Sequence, residues 1–383
     1  MGFSSFIFKN LLRRKFRALL TALGVAIAIA AVVALLGLSS DLRRSAAERF
    51  EGRGVDLVVL RAGVAQRLNS SLNEAIGKRL ETLKHVKGVA PSLTDMVSFG
   101  DTSLIGVPVH GWPADSFAFT SLKITEGRQL REGDAGQVML GEKLAKELRK
   151  KVGDSLDIEG STFKVVSIYE SANMLDNASA VIPLTDLQKL MDRPDQVTEF
   201  QVAVASPAEQ RKAVVEDLRK EIESLRDANG KVLGLSALPT EEYINKNTEI
   251  KLIDAMAWMT SAIALLIGSV GMLNTMVMSV MERTQEIGIL RAIGWRKARI
   301  VQMILSEAFL LSVFGAIVGI LFAVTLTGTL ATFSPAGSYL RSEISPTVIC
   351  AGLALAGLVA IVGGAYPAIR GASLPPTEAL RCE

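Results

Sequence analysis

Glu282 and Glu286 stand four residues apart, with Arg283 and Arg291 beside them, in the string ERTQEIGILRAIG between two long apolar runs. On a helix that spacing puts both carboxylates on one face, as a general acid and base would require. The neighbouring arginines argue instead for charge-assisted docking on another surface. Chemistry elsewhere is sparse. The chain has two histidines, His85 and His110, and two cysteines, Cys350 and Cys382, which leaves little for a metal site and no disulfide for the polar part of the chain. No H-E-x-x-H or G-x-S-x-G occurs. Gly141-Glu142-Lys143 lacks the Lys-Ser/Thr ending of a phosphate-cradling loop. The expectation is a chain with no catalytic, metal or cofactor site of its own.

The elements that must hold the charged string are membrane spans. At 383 residues, 49% hydrophobic yet 21% charged, the chain is too apolar for an ordinary soluble enzyme, and its polar residues must be segregated. The net charge of +3 favours no nucleic-acid partner. Residues 18–38 are uncharged, and at about 1.5 Å per residue they reach roughly across a 30 Å hydrocarbon core. This run is too long for a cleaved signal peptide, so a first span is set at 18–40. Uncharged runs at 255–281 and 308–331 give the second and third spans, and 346–366 the fourth. Residues 1–17, with Phe3, Phe6, Phe8 and five basic residues, suit an interfacial amphipathic segment in contact with membrane lipids. That basic cluster, with Arg296, Lys297 and Arg299 in the 282–307 loop, places both on the cytoplasmic side, as well as the 367–383 tail. Residues 41–254 and the short 332–345 loop are then outside.

The pattern over 41–254 predicts an α+β domain inserted between spans one and two. Strands are expected at 56–60, 104–110, 137–140, 155–158, 162–169, 180–182 and 198–205, with helices at 72–83, 142–150, 185–191 and 208–225. Residues 239–254 should lead helically into the second span, so that the domain stands on stalks continuous with the first two spans. Within the membrane, Asn274 is costly unless paired and should face another helix. Gly315 and Gly319 form a G-x-x-x-G that lets helices approach closely. The prolines after Tyr366 should stop the last helix.

The string from Glu282 to Gly294 resembles the E-R-x-x-E-I-G-x-L-R-A-x-G segment of the MacB/FtsX-like ABC permeases. The stretch 127–169 resembles their extracytoplasmic core. The end, Tyr366-Pro367-Ala368 through Glu378-Ala379-Leu380-Arg381, resembles their terminal motif, with Gly371 where alanine is usual. The resemblance implies a four-helix permease subunit of a bacterial inner membrane that docks on a separate ABC ATPase, which would bind the ATP and Mg. Glu282, Arg283, Glu286 and Arg291 would be its docking contacts, with Gly288 and Gly294 permitting close approach. It further implies a homodimer with two ATPase chains. A periplasmic adaptor and an outer-membrane channel would complete an exporter, whereas division-type relatives act on cell-wall hydrolases; a membrane-anchored sensor without an ATPase or transport is the other class to weigh.

Overall fold

The structure is a computed structural model that describes residues 15–64, 67–99, 104, 106–171, 173–333 and 344–375. The amphipathic segment predicted over 1–17, the 332–345 loop and the end of the tail therefore fall mostly outside the described residues. By contacts the chain divides into two compact units. Among the described residues, one is helical and takes in 15–40, 253–332 and 344–375; the other takes in 41–252.

Helix α1 (Lys15–Gly52) is longer than the span read from the sequence, because the charged residues after Ser40 continue the helical pattern. It ends where Gly54 takes a positive φ of 67° and the Val55 amide donates to the Phe50 carbonyl. Strand β1 (Leu57–Arg61) follows, then β2 (Leu72–Asn73), α2 (Ile76–Glu81), β3 (Val86–Val97) and β4 (Val107–Trp112). Next come β5 (Leu122–Gly127), β6 (Gln137–Gly141), α3 (Glu142–Leu148), β7 (Ser155–Ile158) and β8 (Ser161–Ser171). Helix α4 (Met174–Asn177), β9 (Ala180–Pro183), α5 (Leu184–Leu190), β10 (Gln196–Val197), β11 (Glu199–Val204), α6 (Arg211–Glu223) and β12 (Leu235–Pro239) complete the domain.

Ten strands form one mixed sheet in the order β12-β1-β11-β3-β4-β9-β6-β8-β5, with β7 on β8. Only β4 with β9 and β6 with β8 run parallel. One core, including Leu57, Leu93, Leu140, Phe200 and Ile222, fills one face. A smaller cluster of Phe50, Val55, Val58, Leu238 and Tyr243 covers part of the other, with the Phe50 and Tyr243 rings edge to face at 5.4 Å.

Strand β3 carries both groups of strands. Val86 to Ser92 pair with β11, and Leu93 to Val97 pair with β4. The strand was not legible in the sequence because Gly88 and Pro91 interrupt it. Pro91 is tolerated because β4 begins its pairing only at Leu93, so the strand is locally an edge on that side.

Other expectations are corrected. The 72–83 helix shrinks to α2, since Leu72 and Asn73 pair with β10 and the Asn73 side chain accepts from the Ala75 amide in a turn. The 104–110 strand moves to β4, after Gly106 turns the chain at φ 73°. Strands β5 and β12 are additions, short and partly polar or proline-bounded. Residues 239–254 form not one helix but α7 (Thr240–Lys246) and the start of α8 (Thr248–Glu282), separated by Asn247, whose side chain accepts from the Ile250 amide at 3.3 Å. The 282–307 segment is mostly helical: α9 (Thr284–Ala292), then α10 (Lys297–Phe333). Pro367 does not stop the last helix but lies inside α11 (Pro346–Ser373). Its ring displaces one backbone bond, a loss that membrane helices absorb. Helices α1, α8, α10 and α11 are each long and apolar enough to cross a membrane.

Candidate functional site

Helix α9 is held by both its ends and one face. Its C-terminus closes in a Schellman turn: Gly294 adopts φ 97°, the Trp295 amide donates to the Leu290 carbonyl at 3.1 Å, and the Gly294 amide to Arg291 at 3.1 Å. Arg291, half-buried, caps the turn by donating Nη1 to the Trp295 carbonyl at 3.1 Å. The Arg299 guanidinium lies 4.6 Å from the Trp295 ring centre. Ile287 and Gly288 are buried against the bundle and Leu290 packs beside them.

Arg283 is also buried, and its Nη1 donates to Glu307 Oε2 on α10 at 2.9 Å. Both side chains are about nine-tenths shielded from solvent, at 10% and 9% exposure. So of the six residues predicted for docking, Arg283 and Gly288 face inward, and Arg291 and Gly294 shape the turn. Glu282 and Glu286 are exposed. Two isoleucines stand near them: Ile289 on α9 and Ile293 at its C-terminal cap are 49% and 68% exposed, so Glu286 and Ile289 on α9 are flanked by exposed Glu282 at the end of α8 and by Ile293. The sequence signal for them was the pair of isoleucines at helical spacing, adjacent to the face formed by Ile287 and Leu290.

The helices behind α9 meet through glycines. A Cβ on Gly315 would come within 2.7 Å of the Ala22 carbonyl oxygen, and one on Gly319 would overlap the carbonyl oxygen of Ala26. Helix α11 presses Gly363 on Met272 and Gly371 on Val280 in the same manner, contacts that no G-x-x-x-G spacing announced. Ser39 on α1 donates to Asp254 on α8. Asn274 departs from expectation, for it is exposed. The buried face of α8 runs through Met272, Met276 and Val280, and a residue two positions from Met272 falls on the opposite side.

Four membrane-length helices with a folded domain inserted after the first define a multi-pass membrane protein. Residues 18–221 match the MacB-like periplasmic core domain and residues 258–376 the FtsX-like permease C-terminal region, so the chain belongs to the MacB/FtsX-type family of ABC transporter permeases. The inserted domain is accordingly extracytoplasmic. An uncharacterized ABC transporter permease of Methanocaldococcus jannaschii is 28% identical over 99% of this chain and 97% of its own length. The macrolide export ATP-binding/permease protein MacB of Bdellovibrio bacteriovorus is 27% identical over 98% of this chain, which spans 61% of that relative. The periplasmic region of MacB from Actinobacillus actinomycetemcomitans aligns with 51% of this chain and 95% of its own, at 16% identity and a TM-score of 0.40.

Proposed function

We propose that this chain is the non-catalytic permease subunit of a bacterial inner-membrane ABC machine, with both termini cytoplasmic, and that it converts ATP hydrolysis by a separate ATPase into motion of the extracytoplasmic domain. The observation that carries it is the exposure of Glu282, Glu286, Ile289 and Ile293 on and beside α9. Two acids and two apolar side chains exposed on and beside one short helix suit insertion into a groove, where the apolar pair gives affinity and the charges fix register. ATP and Mg belong to the partner. The MacB relative joins ATP binding and permease in its name, and no phosphate-cradling motif occurs in this sequence.

The working unit is two copies of this chain with two ATPase chains. The exposed amide of Asn274 supports it, since an amide facing hydrocarbon is costly and a second copy of the span would supply a partner. The cargo class is a lipophilic or peptide-like molecule, exported or extracted by mechanical transmission with a periplasmic adaptor and outer-membrane channel. Affinity purification of the tagged chain from native membranes in mild detergent tests the assembly. Recovery of an ABC ATPase with an adaptor supports it, while a cell-wall hydrolase in place of the adaptor moves the role to a transmembrane actuator. Glu286→Arg should lower ATPase recovery at least about tenfold, the loss of roughly 1.4 kcal/mol. Undiminished recovery by that variant removes α9 as the docking element.

A further inference from the structure

The sheet of the extracytoplasmic domain is two groups of strands joined through β3 alone. Strands β12, β1 and β11 lie to one side, and β4, β9, β6, β8, β5 and β7 to the other. Helix α1 feeds covalently into the first group through Gly54 and β1. Its last turns nevertheless grip the second group. The Asn173 side chain donates to the Ser45 carbonyl. Arg49 Nε lies 2.8 Å from Asp176 Oδ1, and Arg53 Nη2 donates to Asp176 Oδ2 at 3.0 Å. Arg53 also donates Nε to Ser121 Oγ at 3.2 Å and stacks 4.7 Å from the centre of the Trp112 ring. Tyr169 from β8 donates its hydroxyl to the Asp176 carbonyl at 2.9 Å, fixing the short helix from the far side.

Ser45 and Arg49 lie one turn apart on one face of α1, and Arg53 follows in the turn just past its end, so the grip is carried by the last turns of the helix and its exit. All three charges are buried: Arg49, Arg53 and Asp176 are 8%, 5% and 2% exposed. Burying an acid between two arginines is a poor way to gain stability, because desolvation offsets most of the attraction and an apolar contact would hold as well. What it supplies is a defined position. Burial lowers the pKa of Arg53 from its ordinary value, the cost of desolvating that charge, and Asp176 is the largest influence raising it.

We infer that Asp176 is a positioning residue, the keeper of a two-arginine clasp that ties the second strand group to the end of α1, so that the two groups move with the helix as one lever. This rests on the proposed coupling of the helices to outer-domain motion; the clasp itself can be tested without it. The full chain, with Cys350 and Cys382 replaced by serine, is placed in lipid nanodiscs with nitroxide labels on Glu51→Cys and Glu126→Cys, one on α1 and one on β5. A control pair joins Glu51→Cys to Glu241→Cys on α7. All three labelled positions are exposed.

Distances are compared between the wild-type clasp and Asp176→Asn, with Arg49→Gln as a second, milder variant. The expected result is a narrow distribution for both pairs with the clasp intact, and a broadening of about twofold or more in the α1 to β5 pair alone when it is opened. Distributions as narrow in both variants as in the wild type would overturn the inference. Equal broadening of the control pair would also overturn it, because Asp176 would then only stabilise the fold. The comparison needs no nucleotide, so a failure to recover any ATPase would defeat the proposed function and leave the clasp decided on its own result.

Discussion

Gly315 and Ala22 meet backbone to backbone: a Cβ added to the glycine would stand 2.7 Å from the alanine carbonyl oxygen and 3.0 Å from the Cβ of Val25. One turn on, Gly319 meets Ala26 in the same way. Two small residues on α1 thus receive two glycines on α10, and close approach replaces the hydrophobic drive that lipid cannot supply. Gly319→Val should therefore overpack this contact and lower stability by about 1–3 kcal/mol. Thermal unfolding in nanodiscs checks it, with Gly271→Val as a control, since nothing lies within 4 Å of a Cβ there. An unchanged melting temperature for the Gly319 variant would mean that the contact does not hold the helices.

The Arg283 and Glu307 pair makes a second test of what the charged string does. Removing the arginine takes the counter-charge of a 2.9 Å ion pair away from the buried Glu307 carboxylate, so Arg283→Met should cost about 3–5 kcal/mol, while Arg283→Met with Glu307→Leu should recover most of the loss. Denaturation of the single and double variants in the same detergent measures this. A double variant no more stable than the single one would show that the arginine serves something other than Glu307.

Acid sensitivity of the outer domain has a local source in the turn after β5. Arg128 reaches Asp134 through both Nη atoms, at 2.5 and 3.0 Å, and the Arg131 amide and Gln137 side chain add bonds of 2.9 Å each. The Arg128 hydrogen bond is the main cause holding the Asp134 carboxyl below its usual pKa. A carboxyl depressed on folding adds stability above its unfolded pKa, about 4, and that stability is lost as pH falls through the folded value. Asp134→Asn should therefore melt lower than the wild type at pH 7, by roughly 2–4 °C. The gap should close below about pH 4. Melting curves of both proteins from pH 7 to pH 3 give the answer, and a gap independent of pH would refute the assignment.

The four spans were legible because uncharged length follows directly from the cost of burying charge in hydrocarbon. The orientation of single side chains was less so. Arg283 belongs by sequence to the same charged string as Glu286, yet it continues the buried face of Met272, Met276 and Val280, and only the position of Glu307 on a distant helix decides that it turns inward. Asn274 missed its expected partner for the converse reason, that facing in or out is set by the phase of α8 against its neighbours. In the outer domain the 155–169 hairpin was readable from its alternation and its Glu159-Gly160 turn. Strand β3 was hidden by Pro91, whose acceptability depends on where another strand begins to pair. The clasp joins positions more than a hundred residues apart, and no local pattern marks Asp176 as the acid that two arginines will find.

The first and last strands of the outer domain are neighbours, with Leu57 opposite Pro239. Entry and exit of the inserted chain therefore stand side by side, the geometry that lets one domain be spliced into another. For the lineage this makes the outer domain an exchangeable cassette. Sequence can be gained, lost or swapped between β1 and β12 while the chain still enters and leaves the domain at one edge, so the part presented outside can diversify faster than the helices that carry it.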